Sequence, residues 1–234
     1  MNGNLYLIPI TLGESSIDSV IPAEVIQQTL TIRHFIVENI RTTRRYLRML
    51  DNAFPIDDTQ FYELNKRTTQ AQIETYLKPL LKGLNVGVIS EAGVPGVADP
   101  GASVVELAHK NNIKVVPFVG PSSILMAVMA SGLNGQNFAF TGYLPINSGE
   151  RVKHLKLLEK RSIQDQQSQL FIETPYRNNA MVEDLLSVCL PSTKLCIACD
   201  ITLDTEFIKT DTIQNWKKNK PDLNKRPSIF MIQG

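Results

Sequence analysis

Ser90-Glu91-Ala92-Gly93-Val94-Pro95-Gly96-Val97-Ala98-Asp99-Pro100-Gly101 is the stretch on which the reading of this chain turns. It follows an apolar run of strand character, Asn85 to Ser90, and precedes a helical pattern, Ala102 to Lys110. Three glycines and two prolines in twelve residues predict a stiff, shaped loop. Glycine lets backbone approach a ligand closely, and proline lowers the entropy lost on ordering. A loop at a strand's carboxyl end is where open α/β sheets place ligands. The stretch fits neither G-x-G-x-x-G nor the Walker pattern, which disfavours a dinucleotide or triphosphate. A tight structural crossover is the plain alternative.

Working outward, short apolar runs alternate with longer amphipathic ones. Strands are expected at Leu5 to Ile10, Phe35 to Glu38, Phe61 to Leu64 and Lys114 to Val119. Helices are expected at Glu24 to Leu30, Thr42 to Leu50 and Thr69 to Leu81, the last with Pro79 near its end. Pro117 argues that its strand lies at an edge or ends there. This alternation predicts an α/β fold with a mostly parallel sheet in an N-terminal domain, 1–119.

Beyond Gly120-Pro121, a second α/β domain over 120–234 is expected, more irregular than the first. Its helices are read at Ser122 to Ser131, Glu150 to Arg161 and Asn178 to Cys189. Its strands are read at Asn137 to Leu144, Gln169 to Glu173, Lys194 to Ile201 and Ser228 to Gln233. Lys217 to Pro227 is basic, polar and proline-bounded, and reads as a solvent-exposed loop. Further glycine or proline turns follow strands at 119–123, 141–145 and 173–177.

Composition narrows the classes. The 24 basic and 23 acidic residues nearly cancel, so no global charge steers the chain toward nucleic acid. Arg41, Arg44, Arg45 and Arg48, however, are spaced to share one helix face and form a phosphate-contacting stripe. A plain surface or a salt network between subunits is the alternative for them. Cys189, Cys196 and Cys199 are an odd number and read as reduced thiols. Cys196 and Cys199 face opposite ways on a strand, and no metal is expected. The start of the chain lacks a basic segment and a long apolar core, and no span of about 20 apolar residues follows. A soluble, cytoplasmic protein without membrane association is the expectation.

In order and spacing, five motifs resemble the tetrapyrrole methylase superfamily, most closely its branch of small-subunit ribosomal RNA cytidine 2′-O-methyltransferases. They are SEAGVPGVADPG at 90–101, GPSS at 120–123, Ser131-Gly132-Leu133, GYLP at 142–145 with Arg151, and FIETPYR at 171–177. The resemblance covers nearly the whole chain. It implies a two-domain fold, with a mixed sheet in the C-terminal domain and S-adenosylmethionine held in a cleft between the domains. It also implies a homodimer. Carried over by position, the cofactor contacts would be Glu91, Ala92, Gly93 and Pro95 in the quoted loop, with Ser122 and Ser123 beside them. Gly142 and Thr174-Pro175 would enclose the adenosine. Pro9, Gly13 and Thr202 complete the set at the family's opening and late motifs.

Departures from the pattern fall at three places. Only the proline and glycine survive at 9–13; Asn39 stands where the family has aspartate; and the basic residues of a late motif are replaced by Cys199 and Leu203. The family's RNA enzymes also carry a further C-terminal portion beyond the matched region. The reading that follows is methyl transfer to a ribose 2′-hydroxyl of ribosomal RNA in the small subunit. The arginine stripe would contact substrate and Glu38 would be the base, or else pair with Arg41. A tetrapyrrole substrate is the enzymatic alternative, and a cofactor-binding dimer without catalysis is the other.

Overall fold

The computed structural model describes residues 2–234, which form two compact units divided between Ser122 and Ser123. The first is built on a five-stranded sheet in the order β3-β2-β4-β1-β5, every pair of neighbours parallel. The strands are β1 (Leu5–Ile8), β2 (His34–Val37), β3 (Gln60–Glu63), β4 (Val86–Ile89) and β5 (Val115–Pro117). Between them run α1 (Ile17–Val20), α2 (Ala23–Thr31), α3 (Ile40–Leu50), α4 (Gln70–Tyr76), α5 (Lys78–Leu81) and α6 (Gly101–Lys110).

Both faces of this sheet are covered, and alternation along each strand serves them. Leu5, Ile36, Val86 and Val88 join the core formed with α4, α5 and α6. Ile8, Phe35, Val37 and Ile89 join a second core with Tyr46 and Leu47 of α3. Strands buried on both sides need apolar residues at nearly every position, which is why they read as continuous runs. β5 is an edge strand, as Pro117 requires. The helix expected over Thr69–Leu81 is two pieces: a capping box at Thr69 and Gln72 starts α4, which ends at Tyr76, and Pro79 sits in the first turn of α5. Proline cannot continue a helix already under way but suits the start of a new one.

The second unit holds a mixed sheet in the order β6-β7-β10-β8-β9. Its strands are β6 (Phe138–Tyr143), β7 (Ser168–Ile172), β8 (Lys194–Cys199), β9 (Phe207–Thr212) and β10 (Ser228–Gln233). Only β6 and β7 are parallel; β10 runs antiparallel between β7 and β8, and β9 antiparallel to β8. α8 (Ser148–Asp165), α9 (Asn178–Val188) and α10 (Ile213–Trp216) close one face over Phe171, Ile197 and Phe230. α7 (Ser123–Ser131) takes the other face, where Thr210 of β9 donates to the Ser131 carbonyl oxygen at 2.6 Å.

Two expectations are corrected here, and β9 and α10 occupy a stretch for which no element is expected from the sequence. The turn at 141–145 begins inside β6, with Gly142 at a bulge rather than beyond the strand end. The 217–227 segment is not simply solvated, since Leu223 is fully buried in the core beneath it. Among the described residues, no helix is long and apolar enough to cross a membrane.

Candidate functional site

Because all strands of the first sheet are parallel, every carboxyl end lies along one edge. Adjacency in the order β2-β4-β1-β5 therefore lines up the segments at 38–42, 90–101, 9–13 and 118–122. Three of these turns touch. The Ile10 N–H donates to the Gly93 carbonyl oxygen at 2.9 Å. Gly93 itself has φ +67°, and a Cβ there would lie 3.0 Å from Leu12 Cδ2 and 3.1 Å from the Pro121 carbonyl oxygen. A Cβ on Gly120 would meet the Pro9 ring at 2.3 Å. Glycine is thus dictated twice, once by backbone conformation and once by close approach. Pro9 also accepts a hydrogen bond from buried Tyr46, whose hydroxyl is pushed up by burial.

Asp99 sets the shape of the quoted loop. Its carboxylate accepts from the Gly96 N–H at 2.8 Å and from the Gly101 N–H at 2.6 Å, pinning both ends of the turn. Glu38, beyond β2, and Ser90, Pro95 and Asp99 of this loop line one narrow crevice, too tight for a water molecule. Glu38 accepts the Glu91 N–H at 3.2 Å, and Thr42 donates to Glu91 Oε1 at 2.6 Å. The alternative pairing of Glu38 with Arg41 is not formed among the described residues.

None of Glu38, Glu91 and Asp99 has a cationic partner among the described residues. Burial raises the Glu38 carboxyl above its usual value; the Glu91 N–H offsets part of this, and the charges of Asp99 and Glu91 add to it. Asp99 is also raised by burial, against the pull of the Gly101, Gly96 and Val97 N–H groups.

Other candidate residues are held elsewhere. Gly13 lies in an exposed bend past the converging turns. Ala92 is exposed, Pro95 is buried within the loop, and Ser122 and Ser123 mark where the first unit ends and α7 begins. In the second unit, Thr174-Pro175 opens the turn after β7, and Thr202 sits in the β8–β9 connection with φ +73°. Gly142 is in β6, so the second unit's candidates come from three separate segments. Arg151 is almost wholly buried, paired with Asp184 at 2.6 Å and donating to the Ile146 carbonyl oxygen at 2.9 Å. It fixes the end of the GYLP turn.

The arginine stripe is present on α3. Arg41, Arg44, Arg45 and Arg48 are all exposed, and none forms an ion pair among the described residues. Arg44 stacks over Phe61 at 5.3 Å, which orders its guanidinium without neutralising it. Asn39 caps this helix by accepting the N–H groups of Arg41 at 2.9 Å and Thr42 at 3.3 Å. Asparagine caps as well as aspartate, so this departure leaves the helix start intact. Sequence reasoning passed over Asp99 and Arg226. The first carried a signal, an Asp two residues ahead of a glycine, where a side chain turns back onto backbone N–H groups. Among the described residues, no group of three His, Cys, Asp or Glu side chains is placed to hold a metal ion.

The residues fit S-adenosylmethionine in one respect: the uncompensated carboxylates suit a sulfonium cation. In the second unit, Glu173 Oε2, Arg177 Nε and Asn178 Oδ1 are buried without a hydrogen-bond partner, so the turn after β7 has bonding capacity left over.

Comparison with known proteins is consistent with this arrangement. No family model matches the chain. The fold resembles the crystal structure of the methyltransferase CobJ, with a TM-score of 0.64 at 16% identity, covering 99% of this chain and 94% of that one. This likeness establishes a two-domain tetrapyrrole-methylase-like α/β fold. Ribosomal RNA small subunit methyltransferase I of Escherichia coli O157:H7 is 26% identical over 99% of this chain and 78% of its own length. The protein of the same name from Vibrio cholerae is 28% identical over 98% and 77%. That of Neisseria meningitidis serogroup B is 30% identical over 215 residues, 91% of this chain and 69% of its own length. Matches of that extent, in a chain whose strand-end turns converge as described, show that it belongs to the ribosomal RNA small subunit methyltransferase I family.

Proposed function

We propose that this chain is an S-adenosylmethionine-dependent methyltransferase that methylates a ribose 2′-hydroxyl of ribosomal RNA. The observation that carries the reading is the meeting of the turns at 9–13, 90–101 and 118–122 beside carboxylates that lack cations. Family membership directs it to RNA rather than to a tetrapyrrole.

When bound, the cofactor supplies a methyl group already activated on sulfonium. The chain's task is to orient that group and exclude water. The backbone around Gly93 and Pro95 forms the wall against which the cofactor rests, and Asp99 keeps the wall in shape. Glu91, Ala92, Ser122 and Ser123 supply polar contacts, and Pro9 and Gly13 bound the site from the β1 side. Gly142, Thr174, Pro175 and Thr202 are the second unit's cofactor contacts. Glu38 takes the proton from the ribose hydroxyl. Its raised proton affinity makes it a stronger base than an ordinary carboxylate, provided the pH is high enough to ionise it. The unpaired arginines of α3 bind RNA phosphates, through which structured RNA is held by shape and backbone.

The enzyme works as a homodimer in the cytoplasm. In support, α7 carries apolar residues on nearly every side, and Leu125 and Met129 are 54% and 82% exposed. A helix apolar all round is normally covered, and a second copy of the chain would cover it.

The test is methyl transfer from labelled cofactor into small ribosomal subunits of a strain lacking this gene, set beside free tetrapyrroles. Label in a 2′-O-methylated nucleotide is the expected result. Label in the tetrapyrrole alone would overturn the substrate, and label in neither would overturn the activity.

A further inference from the structure

At one edge of the mixed sheet, β10 enters beside the carboxyl ends of β7 and β8, with Ser228 opposite Cys199 and Ile229 opposite Ile172. Three loops therefore meet: 173–178 after β7, 200–206 after β8, and 224–227 before β10. Arg226 bonds to both of the others. Its Nε donates to Asp200 Oδ2 at 2.8 Å and its Nη2 to the Thr205 carbonyl oxygen at 2.7 Å. Its own carbonyl oxygen accepts from Nδ2 of fully buried Asn178 at 2.6 Å. The adjacent Lys225 N–H donates to the Pro175 carbonyl oxygen at 3.0 Å.

The loop so gripped is under strain. Asp200 has φ +51° and Thr202 φ +73°. A β-branched residue in the left-handed region is unfavourable and persists only where its surroundings over-determine it. The surroundings here are specific. Asp200 is 7% exposed and takes a second hydrogen bond on Oδ2 from the Thr205 hydroxyl at 2.9 Å, while the Thr202 N–H donates to Glu206 Oε2 at 2.8 Å. Asp200 thus holds its loop from within, and the guanidinium of Arg226 ties this loop to 224–227, whose backbone at Lys225 and Arg226 is bonded in turn to the loop after β7.

We propose that Arg226 is a positioning residue that supplies, from a distant segment, the cation facing Asp200, and through 224–227 holds Thr202 and Thr174-Pro175 in one fixed arrangement for the cofactor. The proposal rests on the reading of those residues as cofactor contacts, but its mechanical part does not.

Two measurements separate the parts. Hydrogen exchange on the protein without cofactor should show amides of 173–178 and 200–206 exchanging faster together in Arg226→Ala, with the amides of β8 and β10 unchanged. Titration with S-adenosylmethionine should show affinity weakened about tenfold in Arg226→Ala, with kcat at saturating cofactor within about twofold of wild type, a loss in binding and not in chemistry. Arg226→Lys should fall between, because an ammonium cannot span the carboxylate and the carbonyl as a guanidinium does; it also serves if the alanine variant does not fold. Unchanged exchange in the 173–178 loop would overturn the proposal. Joint acceleration with unchanged affinity would overturn its link to the cofactor alone, and a wild-type chain that takes up no cofactor would instead sink the functional reading.

Discussion

The two units treat the carboxylates beside their strand-end turns in opposite ways. In the second, Glu173, Asp184 and Asp200 each face an arginine, at 2.6, 2.6 and 2.8 Å. Burial alone would raise Glu173, but Arg177 and the Thr174 N–H outweigh it, and its carboxyl lies below the usual range. In the first unit, Glu38, Glu91 and Asp99 are met by N–H groups, a hydroxyl and one another, and Glu38 and Asp99 are raised. A protein that had only to hold its loops could pair these charges, as the second unit does with Glu173, Asp184 and Asp200, although its buried Glu159 is met by the Leu190 N–H and the Thr193 hydroxyl. Carboxylates left uncompensated at a strand end, where burial works against them, are costly to stability and suited to a cationic ligand or to a proton in transit. The contrast sets Glu38 and Glu91 apart as free to act on a ligand, while Asp99, though without a cation, builds shape through the Gly96 and Gly101 N–H groups.

The sharpest way to break that contrast is Glu38→Gln. Turnover should fall about 10²–10⁴-fold, the range for loss of a general base, while cofactor affinity holds. In the wild type the acid limb of log kcat should lie above the ordinary glutamate value. Glu38 must lose its proton to act, and its raised proton affinity moves that loss to higher pH. The variant should lack this limb; unchanged turnover would remove Glu38 from the chemistry.

Arg151→Ala tests the other side. It strips the guanidinium from a pair buried beside the GYLP turn and leaves Asp184 uncompensated. A cost of about 3–5 kcal/mol in chemical unfolding is expected for breaking such a pair. Glu38→Gln, by the same measurement near neutral pH, should cost nothing, since it removes a charge that the fold disfavours. Equal losses in both variants would erase the distinction. The smallest effect belongs to the exposed stripe: Arg44→Ala with Arg45→Ala should reduce the salt dependence of RNA binding by a slope of about 1–2 and leave stability unchanged. An unaltered slope would take these arginines out of the RNA contact.

Much of this was legible in the sequence, and unevenly. Strands of the parallel sheet announce themselves because both of their faces are buried. β9 does not, because Phe207, Lys209 and Asp211 alternate with Ile208, Thr210 and Thr212, and an edge strand with mixed faces has no clear period. The loop at 90–101 was legible because its glycines answer local demands of φ and close approach. Its neighbours at 9–13 and 118–122 could be grouped with it only through the order β4-β1-β5, which no local pattern encodes. Arg226 was illegible for the same reason. Its surroundings, Lys217 to Pro227, read as a solvated charge run, and only the antiparallel pairing of β10 brings it to Asp200.

The most direct test of the converging turns is calorimetric titration of S-adenosylmethionine into the wild-type chain and Gly93→Val. The substitution puts a β-branched side chain at φ +67° and a Cβ 3.1 Å from the Pro121 carbonyl oxygen, at the point where the turns touch. One cofactor per wild-type chain, with no uptake by a variant that keeps its α/β circular dichroism, is the predicted result. Absence of uptake by the wild type, or equal uptake by both, would contradict the account.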